Sequence, residues 1–389
     1  MSRTLRKHYE NVDLQPGQGK GSAALSIAIG LLSLLGAFCF LWPELFTTPD
    51  FRGFYDSQVL KTMLQASIAI GFGFGFYSIM KHSSMGFGLT GMLLATAAAL
   101  LGSGQIEAPD IDTRNLYVGL DYFILTLVIL ALVFIPLERA FPKDPHQKVL
   151  RKGWITDLKY FMVSHLGIQL ISFFTIIPIQ VYLHQASTWD LQQWVAAQPL
   201  WLQFIEILLV VDFGTYWIHR AMHEIPALWK IHAVHHSTEQ MDWLASSRLH
   251  VLEILANRFA GYLPIFILGF APSAVYAYLV FVSFHAIFIH ANVRFRFPLL
   301  RWLIATPEFH HWHHSSEDAA VDRNYAGFLP IYDVLFGTTY MPSTLANRYG
   351  TRSNDVPEGI VGQFLYPFRH WLGKKPDPAQ AGVQTRAQE

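Results

Sequence analysis

The chain has 389 residues, of which 52% are hydrophobic and only 14% charged, and its mean hydropathy is positive. Soluble domains carry about 25% charged residues, so this composition points to a multi-pass membrane protein. The 28 basic and 28 acidic side chains cancel, which gives no sign of a nucleic-acid partner, and the lone cysteine, Cys39 in an apolar run, excludes an intrachain disulfide and a thiolate metal cluster.

Residues 1–21 are polar and basic. The apolar stretch after them is too long for a removable signal peptide and shows no cleavage pattern, so it reads as a first anchor. A helix needs about 20 apolar residues to cross a bilayer, and four stretches meet this: 22–42, 60–80, 84–102 and 117–136. Their loops alternate in charge. Arg3, Arg6, Lys7 and Lys20 precede the first, acidic residues (Glu44, Asp50, Asp56) follow it, and Lys81 follows the second. Glu107, Asp110 and Asp112 follow the third, and a basic run from Arg139 to Lys152 follows the fourth. The positive-inside bias then places the N-terminus and 138–159 in the cytoplasm. Stretches 160–183 and 199–218 bring the chain back to that side at His219, and a hairpin of 259–270 and 273–290, joined by Gly-Phe-Ala-Pro, ends there too. Within the second span, "GFGFGF" (71–76) sets Gly71 and Gly75 four apart, a small-residue pair suited to close helix packing. Residues 373–389 lack apolar periodicity and are expected to be disordered.

Twelve of the eighteen histidines lie between 219 and 314. His219 and His223 are i and i+4, so they share one face if the preceding helix continues through them. "EIPALWKI" then turns the chain with Pro226, and "HAVHH" returns His232, His235 and His236. On a helix these three spread over an arc of about 100°, with His232 in the middle, which suits two neighbouring metals better than one. His310, His313 and His314 repeat the spacing. Eight imidazoles exceed what one tetrahedral or octahedral ion can use, and burying them without a metal would demand a partner for every ring N–H. A dinuclear site of two transition metals is the simplest reading, and imidazole alone does not choose among zinc, copper, iron and nickel.

Further positions surround this set. His290, at the end of the hairpin, reads as a ninth ligand or an interfacial cap, and His250 in "RLHVLE" as a ligand, a hydrogen-bond donor behind the ligands or a partner of Glu253, which is itself a candidate ligand or support behind the ligands. His285 and His311 point away from the ligand arcs, and His8, His82, His146, His165, His184 and His370 read as interfacial residues. Asp212 lies two turns below His219 inside an apolar span, where its least costly partner is the ring N–H of a ligating histidine, and Tyr216 is placed to join the same network. Arg220, Lys230, Arg248 and Arg294 are either headgroup contacts or positive-inside anchors.

Together, "HRAMH", "HAVHH" and "TPEFHHWHH" resemble the fatty acid hydroxylase and sterol desaturase superfamily, the membrane histidine-rich di-iron oxygenases. "DFGTYWIHR", "RLHVLE", "FIHANVRF" and "DRNYAGFLPIYDVLFGT" add to the likeness, which covers about 115–342 as a catalytic domain. It leaves out the N-terminal helices of 22–110 and the C-terminal segment 343–389. Val251 and Ala326 depart from the frequent proline and glycine at those places, and neither position is a ligand. The resemblance implies an all-α fold, a multi-pass transmembrane helical bundle with a cytoplasmic helical cap that carries the dinuclear site. It implies two iron ions held by His219, His223, His232, His235, His236, His310, His313 and His314, with His290 as a further ligand. It also implies O2 as co-substrate, electrons from a separate reductase or electron-transfer protein, and hydroxylation or desaturation of a membrane lipid such as a fatty acyl chain or sterol. The membrane would be the cell inner membrane in a bacterium and the endoplasmic reticulum in a eukaryote. Two rivals stand beside it: an alkylglycerol-type ether lipid monooxygenase, against which the retained Arg-Leu-His element argues, and a metal transporter or scaffold. A transporter would place its ligands near the bilayer midplane rather than at helix ends.

Overall fold

The computed structural model describes residues 19–52, 55–81, 84–102, 117–167, 171, 172, 174, 190–353 and 355–369. Among them the regular structure is helical, with two isolated bridges, Pro142 to Val293 and Ser315 to Tyr349. Among the described residues seven helices are long and apolar enough to cross a membrane, which marks a membrane protein. The chain divides into two compact units.

The first unit comprises Val12–Leu132 and His165–Gln169. Its helices α1 (Lys20–Leu41), α2 (Ser57–Met80) and α3 (Met85–Gly102) pack against one another. Asp56 caps α2, its carboxylate accepting from the Gln58 and Val59 amides, which satisfies two of the donors a helix start leaves open. Small residues bring the backbones together, as the sequence spacing predicts. Ser26 Oγ donates to the Gly71 carbonyl at 2.7 Å. A Cβ on Gly75 would fall 2.7 Å from the Gly88 carbonyl oxygen, whereas one on Gly73 would meet nothing within 4 Å. Within "GFGFGF" the four-residue spacing of Gly71 and Gly75 thus marks the packed positions, and Gly73 between them is unpacked. The first part of α4 (Leu120–Ala140) also belongs to this unit.

The second unit contains Val133–Ser164 and the chain from Leu170 on. Its frame is α6 (Leu200–Glu224), with α7 (Pro226–His236), α8 (Val251–Leu268) and α9 (Pro272–His290) packed against it, and α10 (Pro307–His313) packed on α9; α5 (Trp154–Leu166) precedes them. Ile207, Leu208 and Val211 of α6 form a buried core with Ile265 of α8, Ala274 and Tyr278 of α9, and Phe328.

Helix α6 runs through His219 and His223 to Glu224, the continuation that sets the two rings on one face, because nothing in "WIHRAMHE" breaks it. Two boundaries differ from the sequence reading. Pro226 starts α7 at its first turn instead of bending a longer connection, so the chain reverses at the extended Ile225 alone. Helix α8 begins at Val251 rather than 259, because the His250 ring caps it by accepting from the Leu252 amide. Of the span expected over 160–183, α5 covers the start and most of the rest lies outside the described residues, as do 373–389, His8, His82, His184 and His370.

Candidate metal centre

Nine histidines from α6, α7, α9 and α10 converge into two groups. His219, His223, His232, His236 and His313 form one; His235, His290, His310 and His314 form the other. Within each group the ligating atoms lie within 4.8 Å of one another, and each group could hold a metal ion. Helical periodicity makes the division. Residues i and i+4 lie about 40° apart around the axis, whereas i+3 turns about 60° the other way. In α7 the pair His232 and His236 enters the five-histidine group and His235 crosses to the other. On α10 and its C-cap the assignment is reversed: His310 and His314 enter the four-histidine group and His313 crosses back. The groups abut, with the His236 and His314 rings stacked at 4.5 Å between centroids.

Outward hydrogen bonds decide the chemistry of the inward nitrogens. A carbonyl oxygen can only accept, so a ring nitrogen facing one must carry the proton. His219 Nδ1 donates to the Tyr325 carbonyl at 2.6 Å, His235 Nδ1 to that of Arg248 at 3.1 Å, His290 Nδ1 to that of Ala286 at 2.6 Å, and His313 Nδ1 to that of Arg323 at 2.9 Å. Two carboxylates act alike: Glu253 Oε1 accepts from His232 Nδ1 at 2.8 Å and Asp322 Oδ1 from His223 Nδ1 at 3.1 Å. For six rings, Nε2 is therefore a bare lone pair turned inward. Yet His219 Nε2 and His232 Nε2 lie 2.9 Å apart, and His235 Nε2 and His290 Nε2 lie 3.2 Å apart. Two lone pairs at hydrogen-bonding distance with no proton between them repel, and a shared cation removes the repulsion. Nε2 of His223 and of His313 is buried with no hydrogen-bond partner at all. Burial first, and neighbouring imidazoles second, hold His232, His236, His310 and His314 well below the ordinary histidine range, so these rings are neutral at physiological pH. The donor set fits two imidazole-ligated transition metals.

The surroundings correct several sequence expectations. Asp212 holds no histidine: its two oxygens accept from the Phe328 and Leu329 amides at 2.9 and 2.6 Å, because the loop after Gly327 reaches it before any ring does. Tyr216 is buried, but its hydroxyl pairs with Thr338 Oγ1 at 3.0 Å rather than with Asp212. His250 is a helix cap that also donates from Nε2 to the Phe364 carbonyl, and it joins neither group. Glu253 stands behind a ligand candidate, accepting from His232, and the alternative pairing with His250 is not made. Arg248 is neither a headgroup contact nor an exposed anchor, since it is buried and its Nε donates to Asp157. His290 stands in the four-histidine group, whereas His285 donates to the Ala305 carbonyl and His311 pairs with the Tyr349 hydroxyl.

Sequence reasoning missed the supports farther out. Arg151 bridges Asp157 and Asp242, and Asp157 also takes Arg248, the residue whose carbonyl holds His235. Glu138 Oε1 accepts from the Trp243 and Asn292 amides, tying the segment after α7 to the one after α9. Asp333 accepts from the Tyr325 and Ala326 amides and the Thr338 hydroxyl. Each is a charged residue with no place in an exposed loop's pattern, and "DRNYAGFLPIYD" contains two of the carboxylates that shape the site.

Residues 204–338 match the family model described as fatty acid hydroxylase. The chain is 28% identical over 308 residues to the ornithine lipid hydroxylase OlsE of Rhizobium tropici, covering 77% of this chain and 91% of that protein. It is 35% identical over 164 residues to human alkylglycerol monooxygenase, covering 42% of this chain and 36% of that one. A rice very-long-chain aldehyde decarbonylase, GL1-5 of Oryza sativa subsp. indica, is 27% identical over 161 residues, 39% of this chain and 25% of that one. The chain therefore spans only about a third of the alkylglycerol enzyme it resembles. No solved structure matches it.

Proposed function

We propose that the chain is a membrane-bound non-haem di-iron oxygenase that hydroxylates a C–H bond of a lipid. The observation that carries this is the nine-histidine centre, divided into groups of five and four, in which six rings turn a bare Nε2 lone pair inward. His219, His223, His232, His236 and His313 would hold one iron, and His235, His290, His310 and His314 the other. Two irons held there would supply reductive activation of O2. Overall, the lipid C–H, O2, two electrons and two protons give the lipid alcohol and water, and a separate one-electron carrier protein or reductase delivers the electrons. The chain's own part is to hold the rings in one arrangement: the outward Nδ1–H groups of six of the nine are tied to carbonyls and carboxylates, so none of those six can flip without breaking a bond. The apolar helices below the centre would seat an acyl chain, and small displacements of the target carbon would decide between hydroxylation and desaturation. Charge alternation between the spans supports a cytoplasmic site.

Similarity over most of the length of an ornithine lipid hydroxylase makes an ornithine-type aminolipid the first substrate to test. A second reading, oxidation of an ether lipid beside the ether oxygen, is favoured by the higher identity, 35% over 164 residues, to alkylglycerol monooxygenase. Relatives named as lipid enzymes weigh against a transporter. The test is incubation of the iron-loaded chain in lipid vesicles with a reductant, O2 and either ornithine lipid or an alkylglycerol. Gain of one oxygen atom by the ornithine lipid supports the first reading, and cleavage of the alkylglycerol to an aldehyde the second. Absence of any oxidised product with two irons bound would overturn both.

A further inference from the structure

The segment "DRNYAGF" carries a likeness to the family but no role in the ligand set. Asp322 and Asn324, with φ of 57° and 58°, are the described non-glycine residues in the left-handed region. Only small polar side chains such as Asp and Asn enter that region readily, since other L-residues pay about 1–2 kcal/mol there. Within four residues the two turns present three acceptors to three histidines on two helices. Asp322 Oδ1 takes His223, the Arg323 carbonyl takes His313, and the Tyr325 carbonyl takes His219.

Asn324 locks this arrangement. It is fully buried, its Nδ2 donates to the Phe309 and Tyr340 carbonyls at 3.0 and 2.8 Å, its Oδ1 accepts from the Tyr340 amide, and its own amide donates to the Thr338 carbonyl. All three histidines so held belong to the five-histidine group. In the other group, His235 is held by Arg248 and His290 by a carbonyl of its own helix.

We propose that this left-handed strap, with Asp322 as its exposed positioning residue, sets metal retention in the five-histidine group independently of the four-histidine group. The proposal rests on the dinuclear reading above. Loss of a partner behind a ligating histidine weakens metal binding by about 10–100-fold, and here the loss falls on one ion of two. Asp322 is the residue to change because its side chain is 54% exposed, so its substitution does not disturb the core.

The experiment compares the full chain in detergent with Asp322→Gly, which keeps the backbone conformation and removes the acceptor, and Asp322→Asn, which keeps an acceptor oxygen. Each is saturated anaerobically with ferrous iron, and release to a chelator is followed together with iron per chain and thermal unfolding. The expected result is biphasic release from Asp322→Gly, one ion lost about 10–100-fold more easily and the other as in wild type, with Asp322→Asn between the two and unfolding unchanged. Retention of both ions as in wild type, or equal weakening of both, overturns the strap. A wild-type chain that saturates below two ions overturns the dinuclear reading, and the strap with it.

Discussion

Glu253 offers the most direct test of whether the inward lone pairs are set from behind. Its Oε1 accepts from His232 Nδ1 at 2.8 Å, and both side chains are 2% exposed, so no water replaces a lost bond. His232 is also the ring whose Nε2 lies closest to two others, 2.9 Å from His219 Nε2 and 3.1 Å from His236 Nε2. Glu253→Leu leaves a buried N–H without an acceptor, which costs about 1–3 kcal/mol. Part of that cost is relieved if the ring flips, and a flipped ring turns its lone pair away from the metal. Affinity at the five-histidine group should then fall by about 10–100-fold. Glu253→Gln keeps an acceptor oxygen and removes only the charge, so it should lose less than Glu253→Leu. The assay is chelator competition on the purified chain, with iron per chain measured elementally, and the expected order of retention is wild type, Gln, Leu. Equal retention by Leu and wild type would refute the reasoning, since it would mean that the Nδ1 partner does not govern Nε2.

Asp212→Asn should lower stability without touching the metal: one of two backbone amides loses a charged acceptor and faces an NH2, a loss of about 1.5–3 kcal/mol, so the midpoint of thermal unfolding should fall while iron per folded chain stays constant. His235→Ala and His313→Ala should each abolish turnover but strip different ions, leaving about one iron per chain in either case, and loss of both ions in both variants would show that the groups do not bind separately. Burial brings Lys143 from 10.5 down to about 8, against the charges of Asp144 and Glu317. Between those two values the unfolded chain holds a proton that the folded chain has released, so stability should rise with pH across that window, and Lys143→Met should abolish the rise in unfolding midpoint. In the N-terminal unit, Gly91→Ala would put a methyl 2.0 Å from Ser26 Oγ and 2.7 Å from the Ser26 backbone, overpacking by about 1–3 kcal/mol. Gly73→Ala meets nothing within 4 Å and should be neutral, and helix content on heating reads the difference.

The long apolar helices and the histidine groups were legible in the sequence because both depend on local periodicity. A run of apolar residues states its own length, and the interval between His232, His235 and His236 states how far apart their rings turn. Partners brought from afar were not legible. Asp212 met amides 116 and 117 residues away before it could meet a ring, and His232 found its carboxylate in Glu253, on a helix whose start the sequence placed too late because a histidine cap is not a usual one. Asp322 sits in a loop with no period, and only its neighbour Asn324, another residue tolerant of the left-handed region, hinted that the backbone there was specified.

The reversal between the two His-x-x-His-His elements carries a consequence for the centre as a whole. Each element contributes an i, i+4 pair to one group and its i+3 ring to the other, and the two elements do so in opposite senses. Neither group can therefore be assembled from one helix: the five-histidine group needs α6, α7 and α10, and the four-histidine group needs α7, α9 and α10 with its C-cap. A rigid shift of α10 relative to α7 would change both groups at once, whereas loosening the strap behind His219, His223 and His313 changes one. The fold thus couples the two sites through shared helices and separates them through their outer hydrogen bonds. That arrangement would allow the electronic properties of two ions bound there to differ even though every inward ligand candidate is an imidazole.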